Sequence, residues 1–167
     1  MSAERTAEKP TDAARTSYDF VPPNALIEFM SDGWIDRPAK SDRHPQADRF
    51  RERRERLGEA YPGAYLVIPA GRERVRANDT QFRFRPSSDF AYLAGPGEIG
   101  AALVLEPDGS RHRSLLFVPA HNRGEAEFFT DRVYGELWVG RHRGVQESTA
   151  FYGVDESRPL ASLPQYL

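Results

Sequence analysis

The stretch Ala101-Ala-Leu-Val-Leu-Glu-Pro-Asp-Gly-Ser-Arg-His-Arg-Ser-Leu-Leu-Phe-Val118 contains two apolar runs on either side of a turn signal. Pro-Asp-Gly favours a turn because proline presets φ, aspartate can bond its own backbone and glycine tolerates a positive φ. Short apolar runs bounded by such turns are typical of strands. The stretch therefore predicts a strand over Ala101–Glu106, a turn over Pro107–Ser110 and a strand over Ser114–Val118.

The chain upstream of this stretch predicts a long surface helix. Residues 45–60 are rich in interleaved arginine and glutamate, while Phe50, Leu57 and Tyr61 share one helical stripe. This pattern predicts an amphipathic helix from Pro45 to Ala60 with a solvated Arg/Glu face. The Pro62-Gly63 turn ends it.

The remaining segments complete an α/β pattern. The apolar run Ala64–Pro69 predicts a buried strand, and the alternation of Phe and Arg over Phe82–Arg85 predicts a half-exposed extended piece. Four further segments are predicted: a short helix or an active loop in Asn122–Val133, a short extended piece over Glu136–Val139, one or two helical turns over Gly144–Phe151, and the start of a helix in Leu160–Leu167. Three strands separated by helices and long loops predict a mixed β-sheet flanked by helices.

Composition divides the chain into three parts. Residues 1–19 hold few large apolar side chains and cannot offset the entropy of ordering, which predicts a disordered tail. Residues 20–44 form an apolar arm and linker, in which Ala25–Met30 is helix-like and Gly33 ends the helix. This arm packs either on its own domain or on another surface. Residues 45–167 are predicted to be one domain.

Composition also excludes several classes of protein. The formal net charge is −2, so the chain lacks the basic footprint of a nucleic-acid-binding domain. Apolar runs such as Ala64–Ala70 and Ile99–Leu105 fall far short of the roughly 18–20 residues that cross a bilayer. Without cysteine there are no disulfides and no thiolate metal ligands. Since the polar N-terminus also lacks the apolar core of a signal peptide, we expect a cytoplasmic protein that binds neither nucleic acid nor membrane.

No complete catalytic constellation is visible in the sequence. The four histidines, at positions 44, 112, 121 and 142, lack the i, i+4 spacing of metal-binding pairs and are expected on the surface or in loops. Arg141-His142-Arg143 is a small basic cluster that either holds a phosphate or flanks a turn and pairs with Glu136 or Glu147. The residues by themselves therefore predict an α/β domain without catalytic or metal-ligating residues.

Two motifs resemble those of a known family. Arg85-Pro-Ser-Ser-Asp-Phe-Ala-Tyr-Leu-Ala-Gly95 resembles the Arg-x-x-Ser-Asp-Phe-x-Tyr-Leu-x-Gly segment of the N-terminal domain of aminopeptidase P, the Xaa-Pro aminopeptidase. Glu136-Leu-Trp-Val-Gly-Arg-His-Arg-Gly144 is similar to the family's Glu-x-Trp-x-Gly-Arg-x-x-Gly. The predicted hairpin, the helix around Phe50–Leu57 and Tyr152-Gly-Val-Asp155 also lie where the family has matching features, so the resemblance covers about residues 46–167.

The resemblance implies a mixed sheet of the creatinase/prolidase N-terminal type, incomplete at its C-terminus because the family continues for a further strand and helix. It also implies a partner domain, a C-terminal "pita-bread" catalytic domain that is absent from this chain. That domain carries two metals, usually manganese, and releases the N-terminal residue that precedes proline. The chain itself is expected to hold no catalytic residue and no metal ion.

The resemblance further implies roles for particular residues. The domain is expected to drive homo-oligomerisation, as a dimer or tetramer, and to line the neighbouring subunit's active-site mouth through Trp138 and Asp79. The residues alone leave other interpretations open, a core aromatic for Trp138 and an Asn-Asp turn for Asp79. Structural roles are expected for Arg85, Ser88, Asp89, Phe90, Tyr92 and Gly95.

Physical expectations follow for some of these residues. The Ser-Asp pair is expected to cap the turn after the Phe82–Phe84 strand, and Arg85 to pair with a carboxylate. The indole of Trp138 is expected to offer substrate a flat apolar wall and one N–H donor. Alternation along the extended piece would point Leu137 to the opposite face from Trp138.

Three functions compete. The first is an N-terminal oligomerisation and substrate-access domain of a dinuclear-metal Xaa-Pro aminopeptidase, whose substrates are peptides with proline at the second position. The second is a non-catalytic, peptidase-like protein-interaction module. The third is a prolidase or creatinase relative with other substrates. The presence or absence of metal ligands in the rest of the protein separates the first function from the second.

Overall fold

A mixed sheet forms the centre of the fold, as the sequence predicts, but it has four strands where three are predicted. The computed structural model describes residues 22–34, 42–78 and 80–167. Its strands are β1 (Leu66–Pro69), β2 (Val75–Ala77), β3 (Thr80–Gln81), β4 (Ala102–Asp108), β5 (Arg111–Val118) and β6 (Glu156–Pro159). The order in the main sheet is β1-β4-β5-β6, antiparallel except for the parallel pair β5–β6. The predicted disordered tail and part of the linker lie outside the described residues.

The predicted hairpin is confirmed as β4 and β5. Leu105 lies opposite Ser114 and Asp108 lies opposite Arg111, so Gly109 and Ser110 alone make the turn. Gly109 has φ +62°, a left-handed conformation that glycine adopts without a Cβ clash. Both strands are buried along their apolar stretches, and the hairpin therefore supplies both faces of the core.

One strand differs from its prediction, and another is missed. The strand β1 lies at an edge of the sheet and is not fully buried: Leu66 and Ile68 are half-buried, whereas Val67 is exposed. The strand β6 is not predicted at all, because Glu-Ser-Arg-Pro contains no apolar run. Pairing with β5 makes it a strand, and the preceding Asp155 supports that pairing by accepting hydrogen bonds from the backbone and hydroxyl of Ser114, both at 2.7 Å.

The strands β2 and β3 form a separate two-stranded ribbon ahead of the predicted Phe82–Arg85 piece. The backbone N–H of Phe82 donates to the carbonyl of Arg74 at 2.9 Å. Phe82 is exposed, whereas Phe84 packs against the core. The half-exposed character predicted for this piece is therefore confirmed.

Seven α-helices surround the sheet in the described part of the chain, in addition to a 3-10 helix at Leu160–Ser162. They are α1 (Asn24–Ser31), α2 (Ala47–Ala60), α3 (Ser88–Leu93), α4 (Glu127–Thr130), α5 (Glu136–Val139), α6 (Gly144–Tyr152) and α7 (Leu163–Tyr166). Apart from α3 and α5, each falls where a helix or helix-like segment is predicted. The α1 arm packs on its own domain, because Ser31 bonds the carbonyl of Glu125 and Trp34 lies against Phe128, with ring centroids 5.2 Å apart.

The two faces of the sheet bury different helices. One face presents Leu103, Leu105, Leu116 and Val118 to α3 and α6. The opposite face presents Ala102, Val104, Leu115 and Phe117 to Leu160, Leu163 and Tyr166 in the C-terminal segment. Full burial of one such side chain stabilises a fold by about 1.5–3 kcal/mol. The prediction of a sheet flanked by helices is therefore confirmed.

Helix α2 is amphipathic, with two departures from the prediction. Phe50 is buried and Leu57 is half-buried, but Tyr61 is exposed because the helix ends at Ala60. The arginine face is not wholly solvated either. Arg54 is only 2% exposed, and its guanidinium donates to the carbonyls of Leu93 at 2.9 Å and Gly153 at 2.5 Å. This side chain links α2 to the ends of α3 and α6.

Candidate functional site

The segment that carries Trp138 is a helix and not the predicted extended piece. Glu136–Val139 forms a single helical turn between Gly135 and Gly140, the latter with φ +85°. Four residues carry too little periodicity to distinguish a strand from a helical turn. Because the segment is helical, strand alternation does not set the directions of Leu137 and Trp138. Leu137 is half-buried and Trp138 is 57% exposed.

Trp138 is held on the surface by the helix before it. Its indole Nε1 donates to the carbonyl of Phe129 at 2.6 Å, and the two rings stack with centroids 5.9 Å apart. The interpretation of Trp138 as a core aromatic is therefore wrong. The indole N–H is already used within the chain, so in this structure it is not available as the donor expected for substrate.

A cavity of about 490 Å³ lies against this tryptophan. Among the described residues, its lining includes Pro22, Phe129, Thr130, Arg132 and Trp138. Since the indole N–H points to Phe129, the indole offers the cavity its apolar ring surface. An apolar slot with a few polar groups is the usual form of a small-ligand site.

Behind Trp138 lies a buried carboxylate, that of Glu136. Its Oε1 accepts hydrogen bonds from His121 Nδ1 at 2.7 Å and from the backbone N–H of His142 at 2.8 Å. An ionised carboxylate only accepts, so the proton of this His121 bond lies on Nδ1. Gly144 packs against the same ring: a Cβ at this position would overlap His121. The last glycine of the motif is therefore required by this packing.

His142 lies in the loop between α5 and α6, so the expected surface or loop position is confirmed as a loop, although the side chain is buried. Its Nε2 donates to the carbonyl of Tyr134 at 2.9 Å, and its Nδ1 lies 3.6 Å from Oε2 of Glu98. Burial raises the pKa of Glu98, although the backbone N–H of Arg143 and the charge of His142 oppose the shift. The sequence offers Glu147 as a partner for the Arg141-His142-Arg143 cluster. This pairing is confirmed, since Arg141 forms an ion pair with Glu147 at 2.9 Å.

The Arg85–Gly95 motif builds α3 and its exit. Ser87 caps the helix by accepting from the N–H of Phe90 at 3.3 Å, so the expected cap at Ser88 and Asp89 is wrong. Phe90 is fully buried, and Gly95, with φ +89°, leaves room for the ring of Phe50.

Two residues of this motif, Tyr92 and Arg85, are exposed on the surface. Tyr92 is exposed and packs its ring under the guanidinium of Arg53 at 4.1 Å. Arg85 is exposed and has no ion-pair partner among the described residues, so the expected pairing with a carboxylate is not found there. Asp79, the other predicted pocket residue, lies outside the described residues.

The described residues offer no ligand set for the expected metals. Within 22–34, 42–78 and 80–167 there is no group of three or more histidine, aspartate or glutamate side chains that could hold a metal ion. The two manganese ions implied by the resemblance therefore do not fit this part of the chain. In the same ranges, no helix has both the length and the apolar character needed to cross a bilayer.

Sequence comparison identifies the class of this domain. The family model "Aminopeptidase P, N-terminal domain" matches residues 50–167. Xaa-Pro aminopeptidase 1 of Streptomyces coelicolor is 40% identical over 135 residues, which are 79% of this chain and 27% of that protein. Xaa-Pro aminopeptidase of Escherichia coli is 31% identical over 120 residues, or 71% of this chain and 25% of that protein.

Solved structures agree with this assignment. Aminopeptidase P from E. coli with the inhibitor Pro-Leu matches with a TM-score of 0.61 and 29% identity, over 73% of this chain and 26% of that one. Proline aminopeptidase P II from Yersinia pestis matches with a TM-score of 0.59 and 27% identity, over 71% of this chain and 26% of that one. The chain belongs to the aminopeptidase P N-terminal domain family. It spans about a quarter of the length of these relatives.

Sequence reasoning finds Trp138 through its motif but misses the residues that hold it. Glu136 is predicted only as a motif residue and as a possible partner of the Arg141–Arg143 cluster, and His121 and Phe129 are assigned no role. The one available signal is the coincidence of a motif glutamate with a nearby histidine and asparagine, His121 and Asn122. Only the structure brings these side chains together.

Proposed function

We propose that this chain is the N-terminal oligomerisation and substrate-access domain of an Xaa-Pro aminopeptidase. The observation that carries the proposal is Trp138, an aromatic side chain fixed on the surface beside an apolar cavity, within the family's Glu-x-Trp-x-Gly-Arg motif. A large exposed aromatic in a fixed position is typical of a residue that contacts a partner or ligand.

In this proposal the domain orients substrate, and hydrolysis takes place elsewhere. We assign the dinuclear manganese chemistry to a catalytic domain outside this chain, as the resemblance implies; the described residues offer no group of three or more side chains that could hold a metal ion. In the assembled oligomer, the ring of Trp138 packs on the apolar face of the substrate's proline at the active-site mouth of a neighbouring subunit. The ring surface alone makes this contact, since Phe129 already accepts the indole N–H.

The test is the Trp138→Ala variant in the whole protein that carries this domain, assayed on peptides with proline at the second position. We expect KM to rise about tenfold, the loss of about 1.4 kcal/mol of binding, with kcat and metal content unchanged. The control is Val139→Ala, which truncates the neighbouring exposed apolar side chain on α5. A Trp138→Ala enzyme with unchanged kinetics and only a lower melting temperature contradicts the proposal.

Oligomerisation is tested separately, by light scattering on the same protein. We expect a homo-oligomer, and a strictly monomeric enzyme that remains active would contradict this part of the proposal. In that case Trp138 could not reach a neighbouring subunit.

A further inference from the structure

Helix α5 is too short to hold Trp138 in place by itself. It has four residues, one turn, whereas isolated helices shorter than about 12 residues are marginal in water. It also ends at Gly140, which has φ +85°, and no atom lies within 4 Å of the position that a Cβ would take there. The position of Trp138 must therefore be fixed by contacts that lie outside the helical turn.

A buried polar clamp joins the two ends of α5. At the first end, the backbone N–H of Glu136 donates to Asn122 Oδ1 at 3.1 Å, and Asn122 Nδ2 donates to the carbonyl of Tyr134 at 2.8 Å. At the other end, the backbone N–H of His142 donates to Glu136 Oε1 at 2.8 Å, and its Nε2 donates to the carbonyl of Tyr134 at 2.9 Å. Residues 134–142 thus form a closed loop with Trp138 at its exposed side.

We propose that Glu136 is the positioning residue for Trp138, and that His121 is its supporting partner. The significance of this positioning for substrate rests on the function proposed above. The Glu136 carboxylate is 1% exposed, and it bonds both the segment after α5 and a side chain before α4. Charge-assisted hydrogen bonds of this kind are about twice as strong as neutral ones.

His121 completes the clamp from the solvent side. Its side chain is 37% exposed, its Nδ1 donates to Glu136 at 2.7 Å, and its Nε2 edge packs on Gly144. Removing the Glu136 carboxylate would leave both His121 and the His142 N–H without their acceptor. The bond from His142 Nε2 to the carbonyl of Tyr134 would then close the loop by itself, and the indole would leave the ring of Phe129 more easily.

The fluorescence of Trp138 tests this inference on the chain itself. The protein has two tryptophans, so Trp34→Phe leaves Trp138 as the single indole reporter. In that background we expect Glu136→Ala to raise the acrylamide quenching constant about twofold and to lower the anisotropy, because the side chain becomes mobile. Glu136→Gln should remain near the parent, since its amide oxygen still accepts both N–H groups. Glu127→Ala, an exposed glutamate on α4, is the matched control.

Two outcomes overturn the inference. The first is a Glu136→Ala variant with native circular dichroism and unchanged quenching. If that variant loses its native circular dichroism, the His121→Ala variant is the test instead. It removes one hydrogen bond to Glu136 and leaves the bond from His142. Unchanged quenching of Trp138 in His121→Ala is the second outcome that overturns the inference.

The kinetic test separates this inference from the proposed function. In the whole enzyme, Glu136→Ala should raise KM as Trp138→Ala does, and the double variant should raise it no further. If Trp138→Ala leaves KM unchanged, the proposed function fails while the fluorescence result stands. If Trp138→Ala raises KM and Glu136→Ala does not, the positioning role is overturned.

Discussion

Ser87 connects the family motif to the sheet at the scale of a single residue. Its hydroxyl accepts from the N–H of Phe90 at 3.3 Å and donates to the carbonyl of Pro69 at 2.7 Å. Its backbone N–H donates to the carbonyl of Ala70 at 2.7 Å. One serine therefore starts α3 and ties it to the end of β1, while the neighbouring Ser88 is exposed.

We predict that Ser87→Ala lowers the free energy of unfolding by about 1–2 kcal/mol, because the cap and the bond to Pro69 are both lost. Urea denaturation followed by circular dichroism measures the loss. The control is Ser88→Ala, one residue further along the same motif, for which we expect a change within about 0.5 kcal/mol. Equal losses in the two variants would show that Ser87 is not the cap.

At the scale of elements, Arg54 holds three helices together. The guanidinium reaches from the middle of α2 to the carbonyls of Leu93, the last residue of α3, and Gly153, just after α6. Burial lowers the pKa of Arg54 to about 10, so the group is still charged at neutral pH. The arginine-rich pattern of α2 gives no indication that this arginine differs from its neighbours.

We predict that Arg54→Met, which keeps an unbranched apolar stem, destabilises the fold by about 2–4 kcal/mol. The reason is that two buried carbonyls lose their donors, each at a cost of about 1–3 kcal/mol. Arg56→Met, at an exposed position of the same helix, should change the unfolding free energy by less than about 0.5 kcal/mol. A comparable stability for both variants in urea would contradict the linking role of Arg54.

The turn α5 illustrates how an element can depend on side chains outside it. Glu-Leu-Trp-Val has β-forming residues, and an extended piece is the natural expectation from them. In the structure it is a helical turn whose first N–H donates to the Asn122 side chain, while the Glu136 carboxylate accepts from the N–H of His142 beyond the turn. The same contacts decide that Trp138 lies on the surface.

At the scale of the whole molecule, Glu98 makes stability depend on pH. This residue lies in the loop before β4, and one oxygen of its carboxylate accepts from the N–H of Arg143, just before α6, at 2.8 Å. Its other oxygen is buried and has no hydrogen bond within the described residues. Burial raises the pKa of Glu98 in the folded protein, so the fold favours the protonated form.

We predict that Glu98→Gln is more stable than the parent at neutral pH, and that the difference shrinks as the pH falls. The sign follows from the raised pKa: the stability that protonated Glu98 contributes is present below its unfolded pKa, and it is lost as the pH rises through the folded value. Melting temperatures of both proteins between pH 4 and 8 test this. A difference that is constant over the range, or equal to that of exposed Glu127→Gln, would contradict it.

The sequence alone determined the central hairpin, the long helix before it and the family to which the domain belongs. These depend on local information: the Pro-Asp-Gly turn, apolar runs of strand length and motifs read in order. It also identified Trp138, because that residue belongs to the motif. The motif does not specify what surrounds Trp138.

Only the tertiary structure decided what surrounds that residue and which polar groups are buried. Arg54 is buried because the carbonyl of Gly153 accepts a hydrogen bond from it, and that carbonyl lies 99 residues further along the chain. Likewise β6 is a strand because it forms parallel backbone hydrogen bonds with β5. His142 is buried because Glu136 and Tyr134 accept its two N–H groups. Burial of a polar group depends on the partners that satisfy it, and those partners come from distant segments that no local pattern specifies.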